Sequence, residues 1–153
     1  MNARILEFKV LGDEKGSLVA LESNKNVPFD IKRVFYIFGT KEGVRRGCHA
    51  HKKLNQVLVC VSGSSKILLD DGVERNEILL GDPRIGLYVG NMIWCEIYDL
   101  SDDCVIVVLA SDYYDEADYI RRYKDFLHIK FNLTPEDLNR TQMIKEQTFT
   151  KNK

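Results

Sequence analysis

Turn residues interrupt the chain about every 8–12 residues, and this spacing constrains the fold more than any other feature. Between the turns lie short runs rich in β-branched and aromatic residues, which strands prefer. Strands are predicted at 33–38, 56–61, 66–69, 77–80, 85–89, 93–98 and 104–109. Turn sequences such as Ser62-Gly63-Ser64-Ser65 and Asp70-Asp71-Gly72 separate them. The pattern predicts an all-β fold, either a sandwich or a barrel.

The chain changes character after Ser111. Residues 115–127 carry acidic side chains first and basic ones later, and three apolar residues there lie at helical spacing, which predicts a helix. Thr134-Pro135 has the N-cap and first-position residues of a second helix. We therefore expect a barrel over residues 1–112 and a C-terminal helical extension and tail over residues 113–153.

Charge and hydropathy argue against several classes of function. The chain has 22 Lys and Arg residues against 23 Asp and Glu residues, a formal net charge of −1, so a nucleic-acid or anionic-membrane binder is not expected. The longest apolar run, 105–110, is far shorter than the roughly 20 residues that a membrane span needs. No signal peptide is visible at the start. The four cysteines form no Cys-x-x-Cys pair, and we expect free thiols in the cytoplasm.

Two of the three histidines lie close together in segment 43–63. In a strand, residues two apart point to the same face, so His49 and His51 can converge on one site. Arg45 and Arg46 precede them, and an apolar run follows. The alternative is a pair of exposed histidines on an edge strand.

This segment resembles the first cupin motif, whose glycines, histidines and glutamate would fall at Gly43, His49, His51, Gln56 and Gly63. Every spacing matches, and only the glutamate is replaced. Residues 81–95 resemble the second motif, with Cys95 at its histidine position. The resemblance implies a cupin jelly-roll barrel. Loss of the glutamate removes the carboxylate that suits Fe, Mn or Ni, although a His-His-Cys zinc site is an alternative. We predict no metal and no cofactor.

A closer resemblance is to the dTDP-4-keto-6-deoxyglucose 3,4-ketoisomerases, which are metal-free sugar-nucleotide cupins. It runs from about Ile5 to Phe126 in separate motifs at 16–18, 26–34, 46–60, 86–90 and 109–121. It implies an isomerase that interconverts the 4-keto and 3-keto forms of a dTDP-6-deoxyhexose through an enediol. The product would serve the biosynthesis of 3-amino-3,6-dideoxy sugars for lipopolysaccharide or S-layer glycans. The partner would be a dTDP-linked keto sugar.

Proton transfer is assigned to the two histidines. A neutral imidazole, with an unperturbed pKa of about 6.5, suits both halves of an isomerisation at neutral pH. His49 is the expected base. His51 is its expected partner, either as an acid at the carbonyl oxygen or as an orienting group, and the two roles could be exchanged.

Five further side chains complete the expected substrate site: Lys15, Arg33, Arg46, Gln56 and Cys95. The arginines suit the diphosphate because guanidinium groups bind phosphate oxygens in pairs. For each cation, a solvated surface charge is the alternative. Gln56 is expected to face the pocket as a neutral hydrogen-bonding group, and Cys95 is expected to point inward.

Phe35 occupies a position where relatives often have tyrosine, so one possible acid is missing. With few acids on other walls, transfer on one face of the sugar is the simpler hypothesis, and it favours a 3-keto-6-deoxygalactose product. Three other functions remain open: a dTDP-sugar 3,5-epimerase, a non-catalytic sugar-nucleotide-binding cupin and a metal-dependent oxygenase. The resemblance also implies a homodimer with exchanged N-terminal strands, and we expect contact through Met1 to Leu21.

Overall fold

Two five-stranded antiparallel sheets make up the fold in the structure, a computed structural model that describes residues 1–134, 136 and 137. In spatial order, the first sheet consists of β1 (Ala3–Glu7), β9 (Ile85–Val89), β6 (Gln56–Ser62), β11 (Val105–Ala110) and β4 (Arg33–Ile37). The second consists of β12 (Tyr119–Ile120), β5 (Arg46–His51), β10 (Trp94–Tyr98), β7 (Ser65–Asp70) and β8 (Arg75–Leu80). Strands β2 (Val10–Asp13) and β3 (Gly16–Val19) form a separate hairpin. The two facing sheets are the jelly roll that the cupin resemblance implied.

The apolar core lies between the two sheets. Alternate residues of the strands turn inward and meet in one cluster, which includes Leu58, Leu69, Leu87, Ile97 and Ile106. Burial of one such side chain stabilises the fold by about 1.5–3 kcal/mol. This cluster therefore holds the sheets in the positions that define the walls of the site.

All seven predicted strands are present, with ends displaced by at most about two residues, as is usual for strand ends. The helix predicted over residues 115–127 is wrong in its first half. Residues 116–118 form a single 3₁₀ turn capped by the Asp115 side chain, and β12 follows. Ile120 is buried and pairs with Ala50 of β5. Pairing with the free edge of β5 outweighs the local helix signal, and α1 (Tyr123–Phe131) begins three residues later.

Helix α1 packs on the outer side of the second sheet. Phe126 is fully buried against Trp94 and Ile120, and the Tyr123 hydroxyl donates a 2.8 Å hydrogen bond to Asp70. No helix among residues 1–134, 136 and 137 is long and apolar enough to cross a membrane. The Asp137 backbone N–H donates to the Thr134 hydroxyl, as an N-cap contact does. The rest of the second predicted helix lies outside the described residues.

Candidate active site

A β-bulge in β5 aims the histidines. Strand β10 pairs Cys95 with His49 but Glu96 with Gly47, so Cys48 is the extra residue. Gly47 and Cys48 have φ angles of +75° and +53°. A Cβ atom on Gly47 would lie 2.8 Å from the Cys95 carbonyl oxygen, so only glycine fits there. Beyond the bulge, the next two alternate side chains face inward.

A cavity of about 200 Å³ lies between the sheets at this point. Its lining includes Phe35, Ile37, Arg46, His49, His51, Gln56, Leu58, Cys95 and Tyr119. The structure thus brings together five of the seven predicted site residues, including both histidines. Arg33 lies next to the cavity, with its guanidinium carbon 5.1 Å from the centroid of the Phe35 ring. Lys15 lies in the exposed β2–β3 turn and does not line this cavity.

Backbone and carboxylate acceptors fix the tautomers of the two imidazoles. His49 Nδ1 lies 2.9 Å from the Gly47 carbonyl oxygen, and His51 Nδ1 lies 3.0 Å from Asp118 Oδ2. Both partners are acceptors, so we assign the hydrogen to Nδ1 in both rings, which leaves each Nε2 with a free lone pair. The two rings lie edge to face with centroids 4.9 Å apart.

Burial keeps both imidazoles neutral. It lowers the pKa of His49 below its ordinary value of 6.5. It lowers the pKa of His51 to about 4, helped by the neighbouring His49 and opposed by the hydrogen bond to Asp118. Neutral rings with a free Nε2 are proton acceptors at pH 7.

Sequence reasoning missed two residues of this site, Asp118 and Tyr119. Asp118 accepts backbone hydrogen bonds from Lys53 at 2.8 Å and Leu54 at 3.3 Å in addition to its contact with His51. The Tyr119 ring centroid lies 4.4 Å from that of His51 and 4.9 Å from that of His49. Both residues belong to the segment 115–127, whose charge pattern predicts a helix. The signal that could have found them was the resemblance motif at 109–121, which contains both.

Comparison with known proteins identifies the family. The family model described as "FdtA: WxcM-like, C-terminal" matches residues 1–131. The chain belongs to this family. It is 56% identical over 138 residues to the TDP-4-oxo-6-deoxy-alpha-D-glucose-3,4-oxoisomerase of Aneurinibacillus thermoaerophilus. The aligned region covers 89% of this chain and 99% of that protein.

Solved structures agree with the FdtA assignment. QdtA, a sugar 3,4-ketoisomerase from Thermoanaerobacterium thermosaccharolyticum crystallised with TDP, is 45% identical, with a TM-score of 0.83 over 86% of this chain and 96% of QdtA. WlaRB, a TDP-quinovose 3,4-ketoisomerase from Campylobacter jejuni, is 51% identical, with a TM-score of 0.80 over 83% of this chain and 98% of WlaRB. Two epimerases match at 18% and 21% identity, which shows a shared fold alone.

Within this FdtA-family site, charged side chains gather beside the cavity at the C-terminal segment. Arg121 donates to Glu116 through Nε at 2.6 Å and Nη2 at 2.8 Å, and its guanidinium carbon lies 4.5 Å from the Tyr119 ring centroid. The hydrogen bonds from Arg121 and Tyr114 lower the pKa of Glu116 to about 2. Unlike the Nε of Arg121, the buried Nε of Arg33 has no hydrogen-bond partner among the described residues. An unpartnered buried donor is suited to a ligand oxygen.

Cys95 and Gln56 form neutral parts of the cavity wall. Cys95 points inward, as expected, and burial raises the pKa of its thiol to about 12. A thiol at neutral pH is a poor metal ligand, because metals bind the thiolate. Within residues 1–134, 136 and 137, no three His, Cys, Asp or Glu side chains form a group that could hold a metal ion. Metal independence of the reaction stays a prediction.

Proposed function

We propose that the protein is a 3,4-ketoisomerase that converts dTDP-4-keto-6-deoxyglucose into a dTDP-3-keto-6-deoxyhexose. The observation that carries this proposal is the pair of neutral imidazoles, His49 and His51, whose Nε2 atoms are free in one cavity. The 56% identity to an oxoisomerase over nearly its whole length supports the same reaction and substrate. The 3-keto product is the form that an amino-group transfer to carbon 3 requires, so it fits the biosynthesis of 3-amino-3,6-dideoxy sugars.

His49 acts as the base on carbon. Its Nε2 takes the proton from carbon 3, the electron pair forms the C3=C4 double bond, and the carbon 4 oxygen takes the negative charge. A proton moves from O3 to O4, and the same nitrogen, whose proton exchanges with water, then delivers a proton to carbon 4 as the carbonyl forms at carbon 3. The hydrogen bond from Nδ1 to the Gly47 carbonyl holds the ring in the tautomer that this step needs. General base catalysis of this kind contributes about 10²–10⁴-fold.

His51 fits the orienting role better than the acid role. Its Nδ1 hydrogen is committed to Asp118, and the low pKa of about 4 leaves the ring neutral at pH 7. A neutral ring in this tautomer accepts a hydrogen bond at Nε2 and has no proton to give there. His51 Nε2 therefore accepts a hydrogen bond from a hydroxyl of the substrate.

The diphosphate is bound by arginines. Arg46 lines the cavity. Arg33 lies beside it, and its Nε–H has no partner among the residues that the structure describes. Guanidinium groups match phosphate oxygens with two parallel hydrogen bonds. Gln56 and Cys95 contact the sugar as neutral groups of the wall.

The protein is a homodimer in this proposal, and the exchanged element is the β2–β3 hairpin. Strand β1 pairs with β9 within the chain. The hairpin instead exposes Leu11 and Leu18, and β4 is an edge strand of the first sheet. An exposed apolar hairpin and an unpaired edge are complementary surfaces in two copies of one chain. Exchange would bring Lys15, at the tip of the hairpin, to the partner's site.

Proton NMR in deuterated water tests the function. Incubation with dTDP-4-keto-6-deoxyglucose should place deuterium at carbon 4 of a 3-keto product. Deuterium at carbon 5 would indicate a 3,5-epimerase, and tight dTDP binding without turnover would indicate a binding protein. Either result would contradict the proposal.

The same spectra report the configuration of the product. In the galacto sugar the hydrogens on carbons 3 and 4 lie on one face, so one histidine can make both transfers. Phe35 has no hydroxyl, and the Cys95 thiol, whose pKa is about 12, is a poor acid. We therefore propose the 3-keto-6-deoxygalactose product. A large diaxial coupling between hydrogens 4 and 5 would show the gluco sugar and contradict it.

A further inference from the structure

The apolar part of the cavity wall, which the first sheet provides, has no role in the proton transfers. We propose that three of its side chains, Phe35, Leu58 and Val108, bind the methyl group at carbon 6 of the sugar and make the protein selective for 6-deoxy sugars. This inference rests on the proposed ketoisomerase function, which places a dTDP-linked keto sugar in the cavity.

The register of the first sheet brings the three side chains together. Val108 of β11 is paired with Phe35 of β4 on one side and with Leu58 of β6 on the other. Residues that are paired in this way across neighbouring strands point to the same face of a sheet. All three line the cavity. They therefore form one continuous apolar row across three strands.

The apolar row lies between a polar row and the core. Two residues along the same strands, Ala110 of β11 is paired with Arg33 and with Gln56. Two residues in the other direction, Ile106 is fully buried in the core cluster. The wall thus changes from charged and polar to apolar along the strands. A sugar nucleotide with its diphosphate at Arg33 would have oxygen-bearing groups near the polar row and apolar groups near the apolar row.

A hydroxyl group placed against the apolar row would find no hydrogen-bond partner in it. The three side chains have no polar atom, and β11 is paired on both sides, so its backbone groups are used within the sheet. Leu58 and Val108 are only 1% and 2% exposed, so bulk water does not reach them. Burial of a hydroxyl without a partner is unfavourable, whereas burial of a methyl group is favourable.

The substrate has one group outside its ring that fits this surface. In a 4-keto-6-deoxyhexose, carbons 1 to 4 all carry oxygen substituents, and only carbon 5 carries a methyl group. The histidines reach the cavity from the second sheet, which faces the first. A sugar whose carbons 3 and 4 face His49 and His51 can therefore turn the methyl group on carbon 5 toward the apolar row.

Calorimetry on the wild-type protein tests the selectivity. The two ligands are dTDP-6-deoxyglucose and dTDP-glucose, which differ only in the hydroxyl on carbon 6. Both lack the ketone, so neither is turned over. We expect dTDP-glucose to bind about 10–100-fold more weakly, because its extra hydroxyl is buried without a partner. Equal affinities would overturn the inference.

A substitution at the centre of the row tests where the methyl group binds. Val108→Thr replaces one methyl group of the side chain by a hydroxyl that can partner the hydroxyl on carbon 6. The affinity difference between the two ligands should shrink to about threefold or less. The matched control is Val105→Thr, the same change on the same strand outside the cavity lining, and it should keep the wild-type difference. An unchanged difference in Val108→Thr would overturn the inference.

A second variant covers the case in which Val108→Thr does not fold. Phe35→Tyr adds a hydroxyl to the same row on a half-buried side chain of the edge strand β4, and it should also reduce the affinity difference. A wild-type difference in this variant would contradict the assignment. The two proposals can fail separately. Selective binding without isomerisation would refute the ketoisomerase function alone, and isomerisation with equal affinities would refute the methyl site alone.

Discussion

The small cavity at the histidines and the larger groove beside the β2–β3 hairpin differ in volume and in the chemistry of the side chains that line them. The histidine cavity has a volume of about 200 Å³ and gathers imidazole, guanidinium and amide groups. The hairpin groove has about 690 Å³, and side chains such as Leu18, Val59 and Val107 line it. Its charged pair, Asp82 and Arg84, is joined by hydrogen bonds within the pair. Converging polar groups, rather than volume, mark the chemical site, and the apolar groove suits another protein surface.

The largest effect should come from the base in the small cavity. His49→Asn should lower kcat by about 10³-fold or more, because the amide cannot take a proton at neutral pH. Affinity for dTDP should stay within a few-fold, as measured by calorimetry. The control is His128→Asn, since His128 is exposed on α1 and does not line the cavity. Wild-type-like turnover in His49→Asn would contradict the assignment.

Acid should lower the stability of the protein through His51 in the small cavity. The folded-state pKa of His51 is about 4 against 6.5 when it is exposed, so the unfolded chain binds the proton first as pH falls. The contribution of His51 to stability is complete above pH 6.5 and is lost as pH falls to about 4, with a cost of about 3 kcal/mol. Urea denaturation at a series of pH values measures this loss. His51→Asn should lack this part of the pH dependence, and a profile unchanged from that of the wild type would show that folding does not lower the pKa of His51.

Nucleotide affinity should depend on the arginine of the small cavity. Arg46→Ala should weaken dTDP binding by about 1.5–3 kcal/mol, the scale of a hydrogen bond to a charged group. The matched control is Arg45→Ala, because Arg45 is paired with Glu96 and stacks 4.2 Å from the Tyr98 ring centroid. Calorimetry on both variants compares them. If Arg45→Ala lost as much affinity as Arg46→Ala, a specific phosphate contact would be disproved.

The smallest effect belongs to the groove. Leu18→Ala removes apolar surface from the exchanged hairpin and should weaken dimerisation by about 1 kcal/mol. Sedimentation equilibrium measures the dissociation constant. Leu79→Ala is the control, since Leu79 is a similarly exposed leucine on the opposite sheet. A wild-type protein that is monomeric and fully active would contradict the dimer proposal.

Sequence alone could predict the half of the site that β5 carries. Strand alternation placed His49 and His51 on one face, and their ring centroids are 4.9 Å apart. The cupin spacing likewise predicted that Cys95 points inward. The Cys48 bulge was not predicted, because the two-versus-one pairing depends on the register of β10, which the local sequence does not contain.

The other half of the site could not be predicted from local patterns. Asp118 is 67 residues from His51 along the chain, and acidic-then-basic residues around it favour a helix. Only the pairing of Tyr119 with His51 across strands brings the carboxylate into place. Lys15 is the converse case. It was predicted for the site, and in the structure it lies in the exposed turn of the β2–β3 hairpin.

The two-residue strand β12 has a consequence for how such proteins diversify. Together with the 3₁₀ turn before it, this strand lies outside the barrel expected over residues 1–112. Asp118 of the turn lies 3.0 Å from His51 Nδ1, and the Tyr119 ring of the strand lies against both imidazoles. A barrel transplanted without its C-terminal continuation would keep its histidines and lose their support. The site is therefore shared between the barrel strands and a short segment that follows them. Exchanging that segment between relatives is a route to altered chemistry that leaves the barrel itself untouched.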